Sequence, residues 1–258
     1  VRGAAYATVI GQIVSCVVAL AFHLAVNKEI TNGLRYIKPS KRLIQQIYTI
    51  GLPAIIAQAL MSVMTYGLNL ILGTVSENAV TAYGLYYKIQ QFLLFAAFGL
   101  RDAITPIVSF NYGMRDKQRV NAGIKYGMLY TLIIMLVGTL ALELFASPLS
   151  SIFGLSGETE QLCIYAIRII SLSLIFAGAN VAFQGIFQAL RSGMESLVIS
   201  LCRQLIFVLP VAWLLARLGL RTEMPSLVWW TFLFAEVVSA AIACVFMRRI
   251  RKTKIASI

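Results

Sequence analysis

The sequence predicts an all-α integral membrane protein with about seven transmembrane helices, and three observations carry that expectation. Hydrophobic residues make up 59% of the 258 and charged residues only 12%, whereas a soluble domain is about half apolar and about a quarter charged. The mean hydropathy is +0.82, so water is not the main solvent of the folded chain. Uncharged stretches run from Gly3 to Asn27, Leu43 to Ser76, Tyr126 to Leu142 and Ile169 to Leu190, and a helix needs roughly 20 mostly apolar residues to cross a bilayer.

In chain order, the apolar runs place helix cores at 4–24, 47–73, 79–110, 122–143, 162–189, 195–216 and 225–247. The first is a single uncharged run with His23 near its end. The second lies inside the stretch opened by Leu43. The third is the longest and holds Lys88, Arg101 and Asp102. The fourth rests on Tyr126–Leu142, just long enough to cross, and the fifth on Ile169–Leu190, extended back to Leu162. The sixth and seventh carry one deeply embedded charge each, Arg203 and Glu236.

The 22 Lys and Arg against 10 Asp and Glu give a net charge of +12, which in a soluble protein would suggest a nucleic-acid partner. The placement speaks against that partner. Basic residues gather in short connections: Lys28, Arg35, Lys38, Lys41 and Arg42; Arg115, Lys117, Arg119 and Lys125; Arg191; and the tail Arg248, Arg249, Arg251, Lys252 and Lys254. The alternate connections hold Glu77, then Glu143, Glu158 and Glu160, then the mixed Arg217, Arg221 and Glu223. The positive-inside bias makes the first set cytoplasmic, so the chain starts outside and ends inside. The partner implied is the lipid bilayer of the cell (plasma or inner) membrane, with the C-terminus cytoplasmic.

Cys16, Cys163, Cys202 and Cys244 sit in or beside apolar stretches without CxxC spacing, which suggests packing residues and neither a disulfide framework nor a metal site. His23 reads as a polar helix end. No metal, cofactor or catalytic cluster is expected.

Residues 25–42 form a polar linker with Asn32-Gly33 and Pro39-Ser40, the latter resembling a helix cap. It separates one helix from six. An internal repeat accounts for this asymmetry: residues 12–22 align with 236–246, with Val14/Val238, Ser15/Ser239, Ala19/Ala243 and Phe22/Phe246 identical and the same orientation before a basic segment. Residues 1–24 are then the last helix of a first lobe, 43–247 a second six-helix lobe and 248–258 a basic tail, with about five helices expected upstream. The start at Val1 gives no reason to see a signal peptide. Parallel repeats recur in secondary transporters that bind substrate between two halves.

Gly51-Leu52-Pro53 opening a helix, Pro106-Ile-Val-Ser-Phe-Asn111-Tyr112-Gly113 closing another, Gln188-Ala-Leu-Arg191-Ser-Gly193, and Arg203 seven residues before Pro210 together resemble the second lobe of MATE (multidrug and toxic compound extrusion) transporters. The resemblance covers the whole chain, with 1–24 matching the family's sixth helix and the remainder its seventh to twelfth. It implies a twelve-helix, two-lobe exporter of small organic, often cationic compounds in exchange for H+ or Na+. It also implies two departures. The glutamate of many relatives ten residues after the Gly of Gly-Leu-Pro falls on Met61, and the tenth-helix aspartate falls on Asn180, so the coupling acid is expected elsewhere, the missing N-terminal lobe included.

Ionisable residues inside spans are costly and so are functional candidates. At about 1.5 Å per residue from the turn at 217–224, Arg203 lies roughly 21 Å and Glu236 roughly 18 Å along consecutive helices. They are expected to pair, either as a static lock, the reading favoured here because buried pairs are commonly structural, or as a carboxylate that releases Arg203 on protonation. Asp102 is a candidate for the cavity or for an interface, and Arg101 is not its obvious partner because adjacent helical positions diverge. Lys88 is expected to snorkel. Asn180, Gln184 and Gln188 recur every four residues as one polar stripe, serving as helix glue or as cavity lining. Gln58, Tyr66 and Asn69, with Gln90 and Gln91, are cavity candidates of the same kind.

The leading expectation is an exporter working by alternating access between two lobes. A lipid or polyprenyl-linked saccharide flippase of similar architecture is the rival, expected to line its cavity with more basic residues. A membrane enzyme is disfavoured, because it would want a His, Asp or Cys cluster near an interface. A helical scaffold without transport is the third possibility.

Overall fold

The computed structural model describes residues 2–27, 40–152, 154 and 157–256. The linker features expected at Lys28, Asn32-Gly33, Arg35, Lys38 and Pro39 lie outside the described residues, as does the end of the tail. Contacts divide the chain into two units, Val1–Gln45 and Gln46–Ile258.

The first unit holds α1 (Arg2–Val26). Its described side chains are exposed all round apart from half-buried His23, whose Nδ1 lies 3.2 Å from Asn27 Nδ2. A helix apolar on every face suits a lipid-exposed span.

α2 (Lys41–Gly73) begins in the first unit and runs on into the second. It is followed by α3 (Glu77–Gly113), α4 (Lys117–Ile152), α5 (Gly157–Ser171), α6 (Leu174–Ala189), α7 (Gly193–Leu201), α8 (Val208–Arg221) and α9 (Trp230–Ile250). π-Helical turns occupy Cys202–Ile206 and Arg251–Ile255, and a 3₁₀ turn Pro225–Trp229. Among the described residues six helices are long and apolar enough to cross a membrane, or seven if the bent pair α5 and α6 counts as one span. The helices overrun their sequence-predicted cores: α4 takes in Lys117, Arg119 and Asn121, and α8 reaches Arg221. Intrahelical bonds satisfy the backbone as well outside hydrocarbon as within it.

The expected continuous helix over 162–189 is corrected. α5 and α6 meet at a 49° bend across Leu172 and Ser173. Ser173 Oγ donates to Ile170 O at 2.6 Å, and Thr139 Oγ1 of α4 donates to the carbonyl of Ser171 at 3.2 Å. Ser171 Oγ donates to Glu143 at 2.6 Å. Serine hydroxyls offer the backbone local alternatives to the helical ladder, and a hydroxyl from the neighbouring helix meets the carbonyl at the break.

Two apolar clusters sit at opposite ends of the second unit. One joins Leu72, Tyr83, Tyr86, Ile167, Ala212 and Trp229. The other joins Val108, Ile124, Phe187, Leu190, Met247 and Ile250. Along α6, Asn180 lies between Ala177 of the first and Ile186 of the second; along α9, Glu236 lies between Ala235 and Ala243. Asn180 and Glu236 therefore occupy the middle of the bundle, between two apolar seals. Glycines bring the helices close there: a Cβ at Gly178 would run into Met135, and one at Gly185 into the stem of Arg101, the small-residue contact that membrane helices favour. Of the expected packing cysteines, Cys163 and Cys202 are buried, while Cys16 and Cys244 are exposed.

Candidate functional site

A π turn carries two residues of the site: Arg203 and Gln204, within Cys202–Ile206, are both buried, at 9% and 6% exposure. Such bulges are frequent at functional sites. From this turn Arg203 reaches Glu236 on α9, with Nε 3.0 Å and Nη2 2.6 Å from Oε1. Asn180 of α6 donates to the other carboxylate oxygen, Oε2, at 2.7 Å. The same amide donates to the Glu236 backbone carbonyl at 3.0 Å. Three elements are thus tied through one carboxylate, and both its oxygens are engaged by charge-assisted bonds.

Beside this cluster lies a cavity of about 170 Å³. Gln58 of α2, Gln90 and Gln91 of α3, Gln184 and Gln188 of α6 and Gln204 of the π turn line it with Arg101, Arg203 and Glu236. Met61, Met64, Leu94, Phe98 and Phe232 supply the apolar wall. Met61, where the resemblance placed a family glutamate, therefore lines the cavity without a charge.

Of the sequence-predicted residues, the structure gathers Gln58, Gln91, Gln184, Arg203 and Glu236 at this cavity. Asn180 is fully buried behind the wall and bonded to Glu236, so the stripe is split: Asn180 joins α6 to α9, while Gln184 and Gln188 face the cavity. Tyr66 and Asn69 line a separate recess of about 780 Å³, which shares Gln58, Met61, Tyr87 and Gln91 with the first.

The expectation that Arg101 is not the partner of Asp102 is corrected. Its carboxylate accepts from Arg101 Nε at 2.9 Å, with Nη2 at 2.8 Å. The long guanidinium arm swings around the helix, and adjacency does not prevent the contact. Asp102 is 67% exposed at its side chain and lines neither cavity, whereas Arg101 lines the first and lies 5.0 Å over the Phe98 ring. Lys88 is exposed.

Sequence reasoning missed Gln204 and the cavity position of Arg101. The embedded charge was a usable signal for Arg101; no periodicity points to Gln204, which lies in the π turn.

A family model described as MatE matches residues 53–214. The multidrug export protein MepA of Staphylococcus saprophyticus is 26% identical over 255 residues, covering 98% of this chain and 55% of that protein. MepA of Staphylococcus aureus strain RF122 is 24% identical over 256 residues, again covering 98% and 55%. The chain spans about half the length of the curated relatives it matches. Among solved structures, MATE in the straight conformation superposes with a TM-score of 0.89 at 23% identity, covering 99% of this chain and 57% of that one. A MOP superfamily transporter from Pyrococcus furiosus gives 0.85 at 23%, covering 96% and 55%. These likenesses show the fold: about half of such a transporter.

Proposed function

The chain belongs to the MatE family, and from that premise we propose that it is the second lobe, with the last helix of the first, of a secondary transporter that exports small organic compounds by alternating access. The observation that carries the reading is the Arg203–Glu236–Asn180 cluster at the middle of the bundle, on the wall of a mixed polar and aromatic cavity. Lipophilic cations are among the proposed substrates, since Phe98, Tyr87 and Phe232 put aromatic rings on the cavity wall, and such rings attract cations.

H+ is the proposed coupling ion in preference to Na+. Both Glu236 oxygens already accept N–H donors, so a metal cation would first have to displace them, whereas a proton needs only one lone pair. Protonation cancels the charge that holds Arg203, and the guanidinium is left to seek another acceptor. That exchange of partners between π turn and α9 would couple proton uptake to movement of α7 and α8. It moves Glu236 from the static lock favoured on sequence grounds to a coupling group. The basic turns and tail are proposed to face the cytoplasm. A flippase reading finds less support, because both cavity arginines are already paired, Arg203 with Glu236 and Arg101 with Asp102.

The test is efflux of ethidium from proteoliposomes holding the full-length protein, driven by an imposed proton gradient. Uptake of protons with ethidium release, lost in Glu236→Gln while the protein stays folded, is the expected result. Sodium-driven efflux that ignores the proton gradient would overturn the coupling assignment, and no efflux under either gradient would overturn the exporter reading.

A further inference from the structure

We propose that the glutamine-lined cavity is a subsite for an uncharged, planar, ring-sized group with hydrogen-bond donors and acceptors along its edge, of the cyclic amide or imide class. The inference deepens the exporter reading and rests on it for the role of the bound group as part of a substrate.

Six glutamine amides from four elements converge on one cavity. Amides inside a membrane bundle are ordinarily explained as glue between helices, and the sequence left that explanation open. The geometry supports it for Gln188 alone, which bonds to α7. No hydrogen bond joins any two of the six: Gln188 Nε2 donates to Ser196 Oγ at 3.2 Å and Gln58 Nε2 lies 3.5 Å from Met61 Sδ. Gln91 Oε1, Gln184 Nε2 and Gln204 Oε1 are buried with no partner, and Gln184 and Gln204 are only 7% and 6% exposed. A buried amide without a partner is destabilising, and these three belong to residues that line one cavity, where a ligand supplies the missing bonds once the side chains turn toward it. The last torsion of a glutamine is broad and roughly two-fold, so each amide can turn its carbonyl or its NH₂ toward an occupant.

Charge and shape narrow the class. The three charged residues of the wall are matched, Arg203 with Glu236 and Arg101 with Asp102, so no free charge remains to select an ion. Phe98, Phe232, Leu94 and the two methionines provide apolar surface for the faces of a ring, while the amides meet its edge. The volume, about 170 Å³, is close to the roughly 150 Å³ cavity that holds benzene in another protein.

Thymine and 1,3-dimethylthymine separate the possibilities, because they share a ring and its carbonyls but only thymine has N–H donors. Binding is read by ligand-observed saturation-transfer NMR on the purified full-length protein in detergent. Thymine is expected to bind, and dimethylthymine to bind at least about tenfold more weakly, the loss of one buried hydrogen bond. Gln184→Leu and Gln204→Leu are each expected to weaken thymine by about tenfold as well, with thermal unfolding as the check that they fold. If both ligands bind alike, or neither binds, the subsite is refuted on the unaltered protein, whatever the variants do. Ethidium efflux without thymine binding sinks the subsite and leaves the exporter standing. The expected thymine pattern without efflux of any compound does the reverse.

Discussion

Asn180 grips Glu236 twice, by its carboxylate at 2.7 Å and by its own backbone carbonyl at 3.0 Å, so one amide fixes both the side chain and the stretch of α9 that bears it. The resemblance placed a family aspartate at this position. An aspartate could not donate either bond while ionised, and it would set a second negative charge against Glu236. The amide and the α9 carboxylate are therefore a matched pair.

Replacing Asn180 with Leu should destabilise the protein by about 1.5–3 kcal/mol, the range for a hydrogen bond to a charged group. Thermal unfolding in detergent measures it. A midpoint equal to the parent's would mean that Glu236 is held adequately by Arg203 alone.

Glu236→Gln strands the Arg203 guanidinium in a buried site, and breaking a buried pair from one side costs about 3–5 kcal/mol. Arg203→Met combined with Glu236→Gln should recover most of that loss, since neutral replacement of both partners is often tolerated. Expression level and unfolding temperature of the two single variants and the double give the coupling energy. Additive losses would contradict the observed pairing.

Gly185 is where α6 meets the stem of Arg101 and the hydroxyl of Thr105, the latter 2.9 Å from where a Cβ would stand. Gly185→Val should destabilise by roughly 1–3 kcal/mol through overpacking and push Arg101 off its place on the cavity wall. Unfolding temperature tests the first effect. The second should show as altered thymine binding that Gly178→Ala, which presses only on Met135, leaves unchanged.

Lys254 in the C-terminal π turn donates to Leu190 O at 3.0 Å, Arg191 O at 2.9 Å and Ser192 Oγ at 2.8 Å. Arg191 sits at φ 54° in the turn after α6, where the last helical carbonyls lack partners and a cation is favoured. Lys254→Met should loosen that turn by about 1 kcal/mol and speed amide exchange at 190–196 by severalfold. Exchange confined to the tail itself would show that the ammonium does not hold the turn.

Hydropathy and length by themselves determined that the chain crosses a membrane, roughly where each helix lies, and that Arg203 and Glu236 reach the same depth on neighbouring helices. Those properties are legible because burial in lipid is a sum over a segment and helical rise is constant. The motifs at Gly51-Leu52-Pro53 and Gln188–Gly193 carried the family. What the sequence could not decide was direction: the bend at Leu172–Ser173, the π turn that holds Arg203 and Gln204, the separation of Asn180 from Gln184, and the ion pair between adjacent Arg101 and Asp102. Each depends on a departure from the regular 100° step or on a side chain reaching around its own helix. The partners that stabilise such departures, as Thr139 does for the carbonyl of Ser171, come from other helices, so only the packed bundle specifies them.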